Sequence, residues 1–438
     1  MIKYVVCFIG GLLAWMGAGQ SAWAQSASTQ RARSLEGVTL IHMVQAGAVQ
    51  RLAGYRRLAR EFQAASGAQV WFVETPWEQM QDQMMSDFIG RAGSYDVFDV
   101  DEAWDANIRA YLLTLDPYLE RSGFDIEDYG GLNGLLGLEP RSQRRYGIPL
   151  TGRSMVLFYR ADVLAAAGVA APQTWQELID AARAVTRKNF YGVVAAGVNV
   201  QLNKYFFASF KADGGRSLFS TDGKPQFGGP EGARALERLE QLFQYAPPGV
   251  FAMDIAEADQ VFLNGEAAFL LEWPDYIQPN LDDPKKSRIV GKWAAMRPPG
   301  PGGYAGWHLA VSGYSKQKDA AWAWIECLTR ASNAKRLMVD HGIYSTRTSV
   351  LSDPDVAARF PGIEAVRSAA AASFRPGFEG HPKGISWFVQ AGAIWSGALT
   401  EQMTPQQAAS AAAALWSKEL ASMPGPPNHD YSDIAALP

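Results

Sequence analysis

The chain has 438 residues, 48% of them hydrophobic and 19% charged, enough for two or three packed units and too apolar for an intrinsically disordered chain. Its 40 basic and 44 acidic residues leave a formal charge of −4 with no block of five like charges, so the basic face that nucleic-acid phosphates require is missing. Beyond residue 25 no apolar run approaches the roughly 20 residues of a membrane span.

Lys3, the apolar stretch Tyr4–Met16 and the small-residue exit Ala22-Trp23-Ala24 have the order of a secretory signal peptide over 1–24, which predicts export to the periplasm. Cys7 would leave with it, so Cys327 would have no intrachain disulfide partner. Residues 25–34 are polar and are expected to be flexible. Val38–Val44 then reads as a strand. Arg51–Ala65 reads as a helix with Leu52, Tyr55, Leu58, Ala59 and Phe62 on one face. Ala68–Val73 is the next strand, Trp77–Ile89 a helix, and Tyr95–Val100 a third strand. This alternation implies βαβ units and a mostly parallel sheet, an α/β fold whose ligands sit outside the C-terminal strand ends. Gln45, Glu74, Thr75, Asp99, Asp101 and Glu102 fall at that rim.

A second unit begins near Thr151, with a strand at Met155–Tyr159 and a short helix at Ala161–Ala167 closed by Gly168. Thr174-Trp175-Gln176-Glu177 has the form of a capping box. Asp222-Gly223 marks a hairpin within Ser217–Phe227, and Pro230 opens a helix carrying Leu236, Leu239, Leu242 and Phe243. Ala267–Glu272 is a buried strand leading to Trp273-Pro274, and Arg297–Gly303, rich in Pro and Gly, is a crossing between units. A helix over 319–330, a loop at Gly342–Thr348 and a final helix from Thr404-Pro405 complete the chain.

Enzyme signatures do not appear. There is no G-x-S-x-G elbow, P-loop or G-x-G-x-x-G fingerprint, and the five histidines are scattered, so neither cofactor nor metal is expected. Asp99-x-Asp101-x-x-x-Asp105 lacks the glycine and the closing acid of a calcium loop. Paired carboxylates of a glycan-acting enzyme cannot be read from one sequence, because their separation is spatial. Tryptophan is plentiful, at 14. Trp175, Trp322 and Trp324 lie on helices and Trp71, Trp293 and Trp416 suit packing, whereas Trp77, Trp104, Trp273, Trp307 and Trp387 lie in loops or strand exits beside Gly, Pro or acid. Indole faces at such positions can stack on a sugar ring while carboxylates accept its hydroxyl hydrogens.

Several stretches resemble one family. Ile148-Pro149-Leu150, Leu157–Asp162, Ala167-Gly168 and Pro172–Leu178 look like the solute-binding proteins of ABC importers, in the sugar-binding branch that includes the maltose-binding proteins. Phe262–Ala268 is similar to that branch's F-x-x-G-x-A-A segment, and Gly306–Ser312 to its G-W-N-L-A-I-S segment, with His308 in place of Asn. Gly342–Arg347 resembles its G-x-x-P-x-R loop, with Ser345 where proline is usual. The resemblance implies a two-lobed periplasmic-binding-protein fold with three hinge crossings, near 151–154, 302–306 (centred on 303–305) and 342–346. Lobe 1 would comprise 35–150 plus 306–343, and lobe 2 151–302 plus 344–438. It implies ligand contacts from Asp101, Glu102 and Trp104, platforms from Trp273, Trp307 and Trp387, and a polar contact from Gln45. Glu74, Trp77 and Tyr344 complete the candidate set, with Arg153 and Arg375 added as cleft arginines able to hold an anion or to bridge the lobes. The implied function is capture of a sugar or polyol by a monomer and its delivery to a membrane permease. An anionic solute such as glycerol phosphate or a sugar acid, or a periplasmic glycan-acting enzyme, are the alternatives.

Overall fold

Strand-forming runs of the sequence assemble into two main sheets in the computed structural model, which describes residues 35–139, 142–212, 217–422 and 434–435. The expected leader at 1–24 and flexible segment at 25–34 lie outside the described residues. The main strands in chain order are β1 (Thr39–Gln45), β2 (Gln69–Thr75), β3 (Val97–Asp101), β4 (Gly147–Ser154), β5 (Val156–Arg160), β6 (Tyr191–Val194), β7 (Ala267–Glu272), β8 (Trp293–Met296) and β9 (Tyr304–Val311). The first sheet has the order β2-β1-β3-β9-β4 and the second β6-β7-β5-β8.

Both sheets are mixed, which corrects the expectation of mostly parallel ones. β1 runs parallel to β2 and β3, and β6 to β7, as the βαβ pattern requires. β9 is antiparallel to both β3 and β4. The reason is the chain path. β4 carries the chain out of the first sheet, β5 starts two residues later in the second, and β9 brings the chain back along β4 in the opposite direction. Antiparallel pairs also join β5 to β7 and β8.

Where the chain passes between the sheets, three segments lie side by side. Arg153 pairs with Ala305 and Ser154 with Tyr304, and Thr151 bridges to Ser345. Gly152 faces Gly306 across this ribbon. A Cβ on Gly152 would lie 2.0 Å from the Tyr304 hydroxyl, and one on Gly306 2.6 Å from a Leu136 methyl, so a larger residue at either position requires those side chains to move.

Helices cover both sheets: α1 (Val49–Ser66), α2 (Trp77–Gly90), α3 (Trp175–Val185), α4 (Leu202–Lys211), α5 (Pro230–Phe243), α6 (Ile255–Leu263), α7 (Pro274–Leu281), α8 (Lys318–Thr329), α9 (Ala331–His341), α10 (Ile363–Ala372), α11 (Gly384–Leu399) and α12 (Pro405–Ala421). The stripe foreseen on α1 is buried at Leu52, Tyr55, Leu58, Ala59 and Phe62. In the second lobe the period of two in β5 divides the core: Leu157 joins the layer of α3, α4, α5, α11 and α12, while Val156 and Phe158 join the layer of α6, α7 and α10. At α3, Thr174 Oγ1 accepts the Glu177 N–H at 3.1 Å, but the Glu177 carboxylate accepts the N–H of Gln173 rather than that of Thr174. Reciprocal capping boxes occur instead at Asp254–Glu257 on α6 and Thr404–Gln407 on α12.

Candidate functional site

On the first lobe, β2 and β3 end at the same edge, and the sequence after each strand delivers an aromatic or acidic side chain there. Pro76 turns the chain straight into α2, so Trp77 stands in its first turn beside the exit of β3. The Trp77 indole N–H donates to Asp101 Oδ2 at 3.0 Å, and the Ala103 N–H donates to Asp101 Oδ1 at 3.1 Å. Behind Trp77 the rings of Trp104 and Trp307 follow in series, with centroids 5.7 and 5.6 Å apart. Arg51 lies 4.9 Å over Trp307 and donates to Asp99, which also accepts from His42 and Tyr55. The His42 Nδ1 accepts from Trp324, so its Nε2 carries the hydrogen given to Asp99.

The second lobe mirrors this logic. β7 is buried along its whole length, which is why its last residue, Glu272, is a carboxylate with no exposed surface. Lys204, on the fully buried helix α4, donates to Glu272 Oε1 at 2.7 Å, and the same oxygen accepts the Trp273 N–H. Burial of two opposite charges is sustained here because each is the other's partner. Pro274 opens α7, setting Asp275 and the 37% exposed Tyr276 in its first turn. Arg153, at the end of β4, donates to Asp275 Oδ2 at 2.9 Å with its guanidinium 5.4 Å from the ring centres of both Trp273 and Tyr276. The Lys204 ammonium lies equally far, 5.4 Å, from the Trp273 ring.

Two contacts tie the walls together. Arg375 pairs with Glu102 at 2.8 Å, and the Asn107 amide donates to the Pro382 carbonyl at 3.1 Å. Burial pushes the Glu102 carboxyl well above the usual range, although Arg375 pulls it down. Burial also raises Asp101, against the hydrogen bonds from Trp77 and Ala103 and the nearby charge of Arg153.

The residues named from sequence divide into three groups. Trp77, Asp101, Glu102, Arg153, Trp273 and Arg375 meet where the lobes face each other, and Gln45 ends β1 at the same sheet edge, half-buried. Trp104 and Trp307 lie directly beneath, at 1% and 2% exposure, as part of the first lobe's core. Glu74, Tyr344 and Trp387 lie elsewhere. Glu74 points from β2 to the exposed Arg56, because the strand's alternation turns it toward α1. The Tyr344 ring is sealed in the second lobe against Phe360, with its hydroxyl donating to Gln278. Trp387 is packed among Phe219, Phe227, Phe378 and Trp416. Trp71, expected as packing, is 61% exposed.

Sequence reasoning missed Arg51, Lys204, Glu272, Asp275 and Tyr276. Two carried a readable signal. Arg51 occupies the apolar stripe one turn before Tyr55, and Lys204 interrupts an apolar run; a charge in either place calls for a buried partner.

Among the described residues no helix is long and apolar enough to cross a membrane, and no group of three or more His, Cys, Asp or Glu could hold a metal ion. A family model described as "Bacterial extracellular solute-binding protein" matches residues 46–335. The "Probable amino-acid ABC transporter periplasmic-binding protein y4oP" of Sinorhizobium fredii is 27% identical over 431 residues, covering 92% of this chain and 95% of that protein. An ABC transporter solute-binding protein from Agrobacterium radiobacter K84, solved in complex with ribitol, is 27% identical with a TM-score of 0.74, covering 88% of this chain and 99% of its own. Maltose-bound MalE3 of T. maritima matches in fold, with a TM-score of 0.77 at 23% identity over 87% of this chain and all of the other.

Proposed function

The chain belongs to the bacterial extracellular solute-binding proteins, and we propose that it is the periplasmic capture component of an ABC importer for a hydroxyl-rich solute of the carbohydrate or polyol class. In this reading the chain is exported, acts as a monomer, and closes its lobes on the solute by bending at the three crossing segments. Ligand contacts from both walls exist together only in the closed form, so binding shifts the open–closed population toward the shape a membrane permease engages. The observation that carries the reading is the pairing of an indole with a carboxylate on each wall: Trp77 with Asp101, and Trp273 with Asp275 through Arg153. Indole faces take the C–H side of a polyol, and carboxylates its hydroxyl hydrogens. The bond-making apparatus of an enzyme has no part in this.

The test is thermal unfolding with ribitol, D-mannitol or maltose. A ligand present at a hundred times its Kd stabilises the native state by about 2.7 kcal/mol and raises Tm accordingly. An unchanged Tm with a broad panel of sugars and polyols would overturn the reading.

A further inference from the structure

At the second lobe's wall, three carboxylates share two cations. Lys204 is paired with Glu272 and Arg153 with Asp275, while Asp259, on the α6 face turned toward β7, is 6% exposed with no hydrogen-bond partner on its Oδ1. Glu272 Oε2 and Asp275 Oδ1 are likewise unmatched acceptors, and Arg153 retains an unmatched Nε–H. On the facing wall, Arg375 Nε lies 2.8 Å from Glu102 Oε2 without a hydrogen-bond geometry for either atom, and Arg51 is engaged by Asp99. Each of these cations therefore already lies against a carboxyl group, and the leftover hydrogen-bonding capacity at the second lobe's wall is mostly acceptor.

A hydroxyl matches that remainder, since it can give its hydrogen to Glu272 or Asp275 and accept one from Arg153. A carboxylate or phosphate has no hydrogen to give to these acceptors, and would bring further negative charge directly beside Glu272 and Asp275, whose cations are already paired.

We propose that Glu272 and Asp275, with their cations held in place by pairing, are charge-selecting residues of the cleft: they admit neutral polyhydroxylated solutes and exclude the corresponding acids. The proposal rests on the capture reading above and narrows it, removing glycerol phosphates and sugar acids from the solute class.

Calorimetric titration of the full chain with matched pairs tests it: ribitol against ribonate, D-mannitol against mannonate, maltose against maltobionate. The neutral member of a bound pair is expected to bind at least about tenfold tighter. Asp275→Asn, which leaves the Arg153 guanidinium without its carboxylate, should move the acid-to-neutral ratio toward the acid by about tenfold, and Glu272→Gln should move it in the same direction. Wild-type protein that binds the acid as tightly as its neutral counterpart overturns the inference while leaving solute capture standing. So does an unchanged ratio in both variants. If no pair binds at all, the capture reading falls and the inference with it.

Discussion

Replacing Trp273 and Trp387 by alanine, one at a time, separates a site tryptophan from a core tryptophan. Trp387 has no exposed surface, meets four aromatic rings at 5.3 to 5.9 Å and donates its indole N–H to the Ala412 carbonyl at 3.1 Å. Emptying that volume should cost about 3–5 kcal/mol, a large share of the stability of any domain. Trp273 is half-buried at the margin of the same core, with Arg153 and Lys204 each 5.4 Å from its ring. Two such contacts at about 0.5–1 kcal/mol give a stability loss of only about 1–2 kcal/mol. Loss of the stacking face should remove about 1–2 kcal/mol of binding, an affinity reduction of about 5- to 30-fold. Urea unfolding followed by circular dichroism gives the first quantity, and calorimetry with the tightest-binding polyol or sugar gives the second. A Trp273→Ala protein that unfolds as readily as Trp387→Ala, or that binds with wild-type affinity, would refute the assignment.

Two further outcomes follow from ion pairs at the junction. Arg375→Met leaves Glu102, at 3% side-chain exposure, buried without a counter-ion when the lobes touch but solvated when they part. Closing should become less favourable by about 3 kcal/mol, measured as a larger radius of gyration in solution scattering, and Glu102→Gln in the same chain should restore it; an unchanged profile would contradict this. Asp128 anchors the segment after the third crossing, accepting from Arg347 at 2.9 Å and from the Ser349 N–H and hydroxyl at 2.8 and 2.6 Å. Burial alone would raise its carboxyl, but these donors hold it below the usual range. Its folded pKa is thus depressed relative to the unfolded chain, so its contribution is complete above the ordinary carboxylate range and disappears as pH falls through the folded value. Asp128→Asn should lower stability at neutral pH by about 1–2 kcal/mol and flatten the acid limb of a stability–pH curve, and a limb as steep as wild type would argue against it.

The local chemistry of the chain determined much of what is observed. Apolar runs such as Ala267–Glu272, the stripe on α1 and the Pro-initiated α5 are set by neighbours a few residues away, so period and capping residues were sufficient to place them. Strand ends delivered Asp101, Glu102 and Trp273 to the junction for the same reason. Tertiary structure decided which indoles remain at the cleft. Trp387 and Trp273 both lie beside acid or glycine in sequence, but the cover over Trp387 comes from segments near 219, 227, 378 and 416, which no local pattern connects. The charge pairs were equally beyond reach: Arg153 meets Asp275 across 122 residues and Lys204 meets Glu272 across 68. Burial makes such pairing obligatory, since an isolated interior charge is too costly to keep, but only the packed lobes determine which partner answers.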